Sequence, residues 1–135
     1  MYLGIDYGKK RIGLAVGSVF PRGAGVLDGE MSDEKVVEAI AQVFVENECE
    51  GIVMGMPTKR SGDDGEMAPK IRSLAEMIKK KTGLEVFFEE EELTSAEAER
   101  ILQDSDKEYS RKSGKTDEMA AVLILEQFLA DKIKL

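Results

Sequence analysis

The chain predicts an α/β fold with a mixed five-stranded sheet: three antiparallel strands first, then parallel crossovers, with helices on both faces. Three observations predict it. Two apolar strand-like runs open the chain, separated by a polar turn too short for a crossover. Helical periodicity begins only after Ser32 and then alternates with short apolar runs. Near the end, residues 119–125 are all apolar, and a helix apolar all round must be covered, here by the sheet.

The elements follow in order. Residues 2–8 alternate as a strand, with Leu3, Ile5 and Tyr7 on one face and Gly4, Asp6 and Gly8 on the other. Lys9, Lys10 and Arg11 make the turn. Residues 11–20 read as the hairpin partner, rich in Ile12, Leu14, Val16 and Val19. Residues 25–31 form a weaker third strand. Ser32 or Asp33 caps a helix to about Asn47, whose Val36, Val37, Ile40, Ala41 and Phe44 keep the helical period. A short buried strand over residues 51–56 leads into a Gly/Pro loop, 57–65. Met67, Ile71, Leu74 and Ile78 then mark a second helix, and residues 84–88 the fifth strand. Thr94 and Glu97 form a capping-box pattern opening a helix to about Leu102. The last helix opens near Asp117. No repeat or Pro-rich linker interrupts the chain, and 135 residues suit a single domain, 1–135.

Composition narrows the chemistry. There is no histidine, so triads, imidazole bases and histidine–metal sites are excluded. The one cysteine, Cys49, excludes an internal disulfide and a thiolate zinc cluster, and suits a reducing cytoplasm. No apolar run approaches a membrane span, and the N-terminus does not read as a secretory signal. A net charge of −8 argues against a protein that grips nucleic acid with its whole surface, but not against a local basic rim. Acid–base or metal chemistry must therefore rest on carboxylates, lysines, hydroxyls or water.

Three acidic features are candidates. Asp6 sits within a strand, where aspartate is disfavoured, between glycines that leave room for a ligand. The run Glu89, Glu90, Glu91, Glu92 follows the fifth strand, and loops beyond the carboxyl ends of parallel strands are where α/β sheets place their sites. Asp117 opens the buried last helix. Taken singly, the acidic run reads as a solvated turn and Asp117 as a first-turn residue favoured by the helix dipole. If the three converge, they make an oxygen-only site for Mg²⁺ or Mn²⁺. Two such ions about 3.5–4 Å apart activate water and stabilise the leaving oxygen in phosphodiester cleavage. Lys59 and Arg60, in the loop before the second helix, could hold a phosphate at that helix start. Lys10, Arg11, Lys112 and Lys115 neighbour the candidate acids and would supply a basic rim to an acidic protein. Residues 8–13 have the outer glycine spacing of a P-loop, but Leu14 and Ala15 stand where Lys and Ser/Thr are needed.

These segments resemble the YqgF family, also called RuvX, of RNase H-like nucleases. The run Gly4-Ile5-Asp6-Tyr7-Gly8-Lys9-Lys10-Arg11-Ile12-Gly13-Leu14-Ala15-Val16 carries the most specific match. Ile52-Val53-Met54-Gly55-Met56-Pro57 resembles the family's Gly-Leu-Pro loop, and Glu90-Glu91-Glu92-Leu93-Thr94 its Asp-Glu-Arg-Leu-Thr stretch. Asp117-Glu118-Met119-Ala120-Ala121 resembles its closing Asp-then-Ala-Ala helix. The resemblance implies an RNase H-like fold, metal ligands at Asp6, Glu91 and Asp117, a bacterial cytoplasmic location, and nucleolytic maturation of the 16S rRNA 5′ end. Some members are described as Holliday-junction resolvases, so branched DNA is the second implied substrate. The sequence departs from the family at Glu92, where arginine is usual, at Glu90, which replaces an aspartate and could exchange roles with Glu91, and at Val19, where a Ser-Asp pair is common. Two other classes stand beside the nuclease: a non-catalytic nucleic-acid-binding module for ribosome assembly on the same fold, and an actin-like kinase. The kinase needs two such domains, and the length supplies one.

Overall fold

The computed structural model describes residues 1–56, 64–90 and 115–133. Its elements are β1 (Tyr2–Asp6), β2 (Arg11–Gly17), β3 (Arg22–Asp28), α1 (Asp33–Glu46), β4 (Gly51–Met56), α2 (Asp64–Thr82), β5 (Val86–Glu90) and α3 (Lys115–Ile133). The sheet runs β3-β2-β1-β4-β5, antiparallel among the first three strands and parallel from β1 through β4 to β5. This is the predicted mixed sheet. The capping-box helix of residues 94–102 lies outside the described residues.

Strand alternation sorts the core into two layers. Leu3, Ile5, Ile12, Leu14, Val16, Ile52, Met54 and Val86 face α1 and α2. The opposite face presents Ala15 and Val53 to Ala121, Ile124, Leu125 and Leu129 of α3, with Tyr2 and Phe128 at the margin. The rings of Tyr2 and Phe87 both pack on Phe128, with centroids 5.6 and 5.4 Å away. The apolar run of α3 is thus covered by the sheet, as its composition requires. Ser32 caps α1 by accepting from the Lys35 N–H at 3.3 Å. Lys70 ties α2 to α1 through Asp33 at 2.6 Å.

Several boundaries differ from the sequence expectation, and β1 ends at Asp6 rather than at Gly8. β2 ends at Gly17, because the chain folds back at Pro21, close against Gly17. Val19 and Phe20, which the apolar pattern placed in the strand, are 63% and 88% exposed. β3 runs from Arg22 to Asp28 and carries a bulge at Ala24. It stops where the Asp28 carboxylate accepts from the Glu30 N–H at 2.9 Å, closing a turn before α1. β5 is shifted two residues along, so Glu89 and Glu90 pair with Gly55 and Met56 inside the sheet rather than following it. α3 begins at Lys115, two residues before the expected start.

Candidate active site

Asp6 ends β1 in the middle of the sheet and is 8% exposed, the one buried charged side chain among the described residues. Its face follows from its neighbours. Tyr2 packs on Phe128, and a Cβ at Gly4 would lie 3.0 Å from the Leu125 Cβ, so the even positions of β1 face α3. Asp6 therefore points to the α3 side, at the carboxyl ends of the parallel strands.

Gly13 brings the second acid there. It pairs in register with Asp6. A Cβ at Gly13 would overlap the main-chain carbonyl of Asp117. The first turn of α3 thus lies directly over the residue beside Asp6, and only glycine allows so close an approach. Asp117 and Asp6 share one end of one face of the sheet. Burial pushes the Asp117 carboxyl above the ordinary carboxylate range. The Arg11 guanidinium, 3.8 Å away, and the backbone N–H of Asp117 act in the opposite sense.

The remaining candidates divide. Lys10 is exposed on the β1–β2 turn, which the Gly29 N–H braces by donating to the Lys10 carbonyl at 2.9 Å. Arg11 is half-exposed at the start of β2 and turned toward Asp117. Both stand on the rim beside Asp6. Of Lys115 only the backbone is described, as the first residue of α3. Glu91, Lys59, Arg60 and Lys112 lie outside the described residues. Among the described residues no three acids gather at a metal-sized point.

Sequence reasoning missed Glu118, and it named Glu89 only as part of the acidic run, without placing it on the sheet. Glu89 shares the α3 side of β5 with Phe87, whose ring meets Phe128. It is level with Gly55, so a glycine stands between its strand position and that of Asp6. Strand parity would have shown this once the end of β5 was known. Glu118 accepts from the Gly25 N–H at 3.1 Å and so is directed toward β3, away from Asp6. Nothing in the sequence pairs residue 118 with residue 25.

The family model described as RuvX, Holliday junction resolvase, matches residues 1–131. The chain belongs to the RuvX family. RuvX relatives span nearly its whole length. A protein of Nitratidesulfovibrio vulgaris is 38% identical over 135 residues, covering 96% of this chain and 92% of the relative. One of Koribacter versatilis is 35% identical, covering 94% and 84%. Both carry the name "Putative pre-16S rRNA nuclease". Among solved structures, Thermus thermophilus RuvC in complex with Holliday junction substrate superposes with a TM-score of 0.61 at 14% identity, covering 98% of this chain and 95% of that one. The RuvX chain therefore has the RNase H-like fold of RuvC.

Oxygen ligands on the two acids fit a hard divalent cation. Asp6 and Asp117 place carboxylate charge in a region dry enough to raise the Asp117 pKa, and a cation there would offset that cost. The raised pKa has a consequence for stability. The folded chain holds a proton at Asp117 that the unfolded chain gives up, so stability falls as pH rises through the window above the ordinary carboxylate range. Asp117→Asn removes that penalty. The metal-free variant should melt higher than wild type at pH 7, with the gap closing as pH falls below the ordinary carboxylate value. If Asp6 and Asp117 hold Mn²⁺, then Mn²⁺ at about 100 times its Kd should raise the wild-type melting temperature far more than that of the variant, since such binding adds about 2.7 kcal/mol. Melting curves with and without Mn²⁺ across pH check both statements.

Proposed function

We propose that this RuvX-family chain is a divalent-metal-dependent nuclease that hydrolyses phosphodiester bonds in structured RNA, with the 5′ end of pre-16S rRNA as its substrate. The observation that carries it is the buried Asp6, held at the sheet end where α3 presents Asp117. Family membership and the name carried by relatives 35–38% identical support the nuclease class and the RNA substrate.

In this reading Asp6, Asp117 and Glu91 hold one or two Mg²⁺ or Mn²⁺ ions. Glu91 is the third ligand by its match to the family's acidic stretch, with Glu90 the alternative. When bound, such ions supply Lewis-acid charge at the scissile phosphate and a water of lowered pKa. The chain's own residues set the geometry. Asp6 offers its carboxylate from the central strand, where neighbours on both sides fix the backbone. Arg11, 3.8 Å from the Asp117 carboxylate, orients it and partly offsets the cost of its burial. Lys10, with Lys59, Arg60, Lys112 and Lys115, binds the phosphate backbone through charge, so binding weakens with salt. The domain 1–135 acts as one unit in the cytoplasm. No helix among the described residues is long and apolar enough to cross a membrane.

A four-way DNA junction is the second substrate worth testing, because the family description names a Holliday junction resolvase. End-labelled pre-16S RNA and a four-way junction, each incubated with Mn²⁺ or with EDTA, decide between them. Cutting of the RNA in Mn²⁺ and its loss in EDTA is the expected result. Cutting in EDTA removes the metal. Binding of RNA without cutting at any Mn²⁺ concentration makes the chain a non-catalytic assembly module.

A further inference from the structure

We infer that Glu118 is a positioning residue for Asp117, acting as a strut between the first turn of α3 and the bulge in β3. The inference rests on the metal site proposed above. β2 and β3 pair Leu14 with Gly25 but Ala15 with Gly23, leaving Ala24 as an extra residue. Gly25 takes φ of +111°, a conformation side chains resist, and its N–H donates to the Glu118 carboxylate at 3.1 Å. Gly23 forms the wall beside the same oxygen, for a Cβ there would stand 2.5 Å from it. The bulge thus makes a socket with one donor and one close-fitting wall, and Glu118 fills it.

The consequence falls on the preceding residue. The apolar residues from Ala121 onward hold the body of α3 on the sheet, and Gly13 fixes how near its first turn approaches, but that turn lies ahead of the apolar packing and Gly13 meets it at one main-chain point. Glu118 supplies a second point, reaching sideways to β3, and a carboxylate–amide bond is of the stronger, charge-assisted kind. With both points held, the first turn is fixed and Asp117 stays at the Asp6 end of the sheet. Without the strut α3 keeps its apolar core, Ala121, Ile124, Leu125 and Leu129, while its first turn loses its bearing.

Full-length wild type, Asp6→Asn, Glu118→Ala and Glu118→Gln are compared by Mn²⁺ calorimetry and by amide hydrogen exchange, below their melting temperatures. Glu118→Ala should weaken Mn²⁺ binding by about 10–100-fold, the usual effect of losing a group that orients a metal ligand. It should also speed exchange at Gly25 and in the first turn of α3. Glu118→Gln keeps an acceptor oxygen and should bind Mn²⁺ within about threefold of wild type, its bond being about half as strong. Tight Mn²⁺ binding by Glu118→Ala, with Asp6→Asn weak, overturns the positioning role alone. Equal loss in Glu118→Gln and Glu118→Ala also overturns it, since charge rather than position would then matter. Failure of wild type to bind Mn²⁺, or unchanged binding in Asp6→Asn, overturns the metal site and the positioning role with it.

Discussion

Asp6→Asn should reduce Mn²⁺-dependent cleavage of pre-16S RNA by on the order of 10³-fold or more, the scale seen when a group acting directly in the transition state is removed. The substitution keeps the size of the side chain and one oxygen, and removes the negative charge. Asp6 is the only acid of β1, so the variant has no other carboxylate on that strand to take its place. Fold loss is not expected, because asparagine fills the same volume beside Gly13. A matched melting curve and single-turnover cleavage in the same buffer make the test. A variant that folds and cuts within about tenfold of wild type would remove Asp6 from the catalytic group.

Gly13→Ala should cost both stability and activity, although residue 13 bears no chemistry. Its added methyl meets the carbonyl of Asp117, and main-chain atoms in a helix cannot rotate aside. Overpacking of this kind costs about 1–3 kcal/mol, which for a chain of this size is a fall in Tm of about 5–15 °C. The strain relaxes by lifting the start of α3 from the sheet. That carries Asp117 away from the end of β1, and a displacement near 1 Å is enough to lower cleavage by about 10²-fold. Thermal melts and cleavage rates measured well below Tm separate the two effects. A variant with wild-type rate below its Tm would mean that the separation of α3 from β2 does not control the site.

Much of this was legible in the residues. Alternation in residues 2–8 announced both the strand and the anomaly at Asp6, because a charged residue in an otherwise apolar strand must be explained. The all-apolar turns of α3 announced a helix under cover. The boundaries were less legible for local reasons. Val19 and Phe20 have the composition of a strand, yet Pro21 turns the chain back beside Gly17, and their exposure follows from that. The acidic run lies between an apolar strand pattern ending at Phe88 and a capping pattern at Thr94 and so reads as a loop, but the pairing of β5 with β4 carries Glu89 and Glu90 into the sheet. The contacts of Gly13 and Glu118 could not be read from spacing. Both depend on α3 crossing β2 and β3, a contact between residues about a hundred positions apart. Glu118 by itself looks like any acid in the first turn of a helix.

The placement of the two acids also has a bearing on when the protein can act. Asp6 belongs to the first strand, and Asp117 to the last described element, with about 110 residues between them. At the usual synthesis rate of about 5–20 residues per second, Asp6 precedes Asp117 by roughly 6–22 s. During that interval the hairpin and the α1–β4 and α2–β5 crossovers can form, but the proposed catalytic pair is incomplete. Under the proposed function, a nascent or prematurely terminated chain that stops before α3 would leave the RNA around it uncut, and hydrolytic capacity would arrive only with the closing helix.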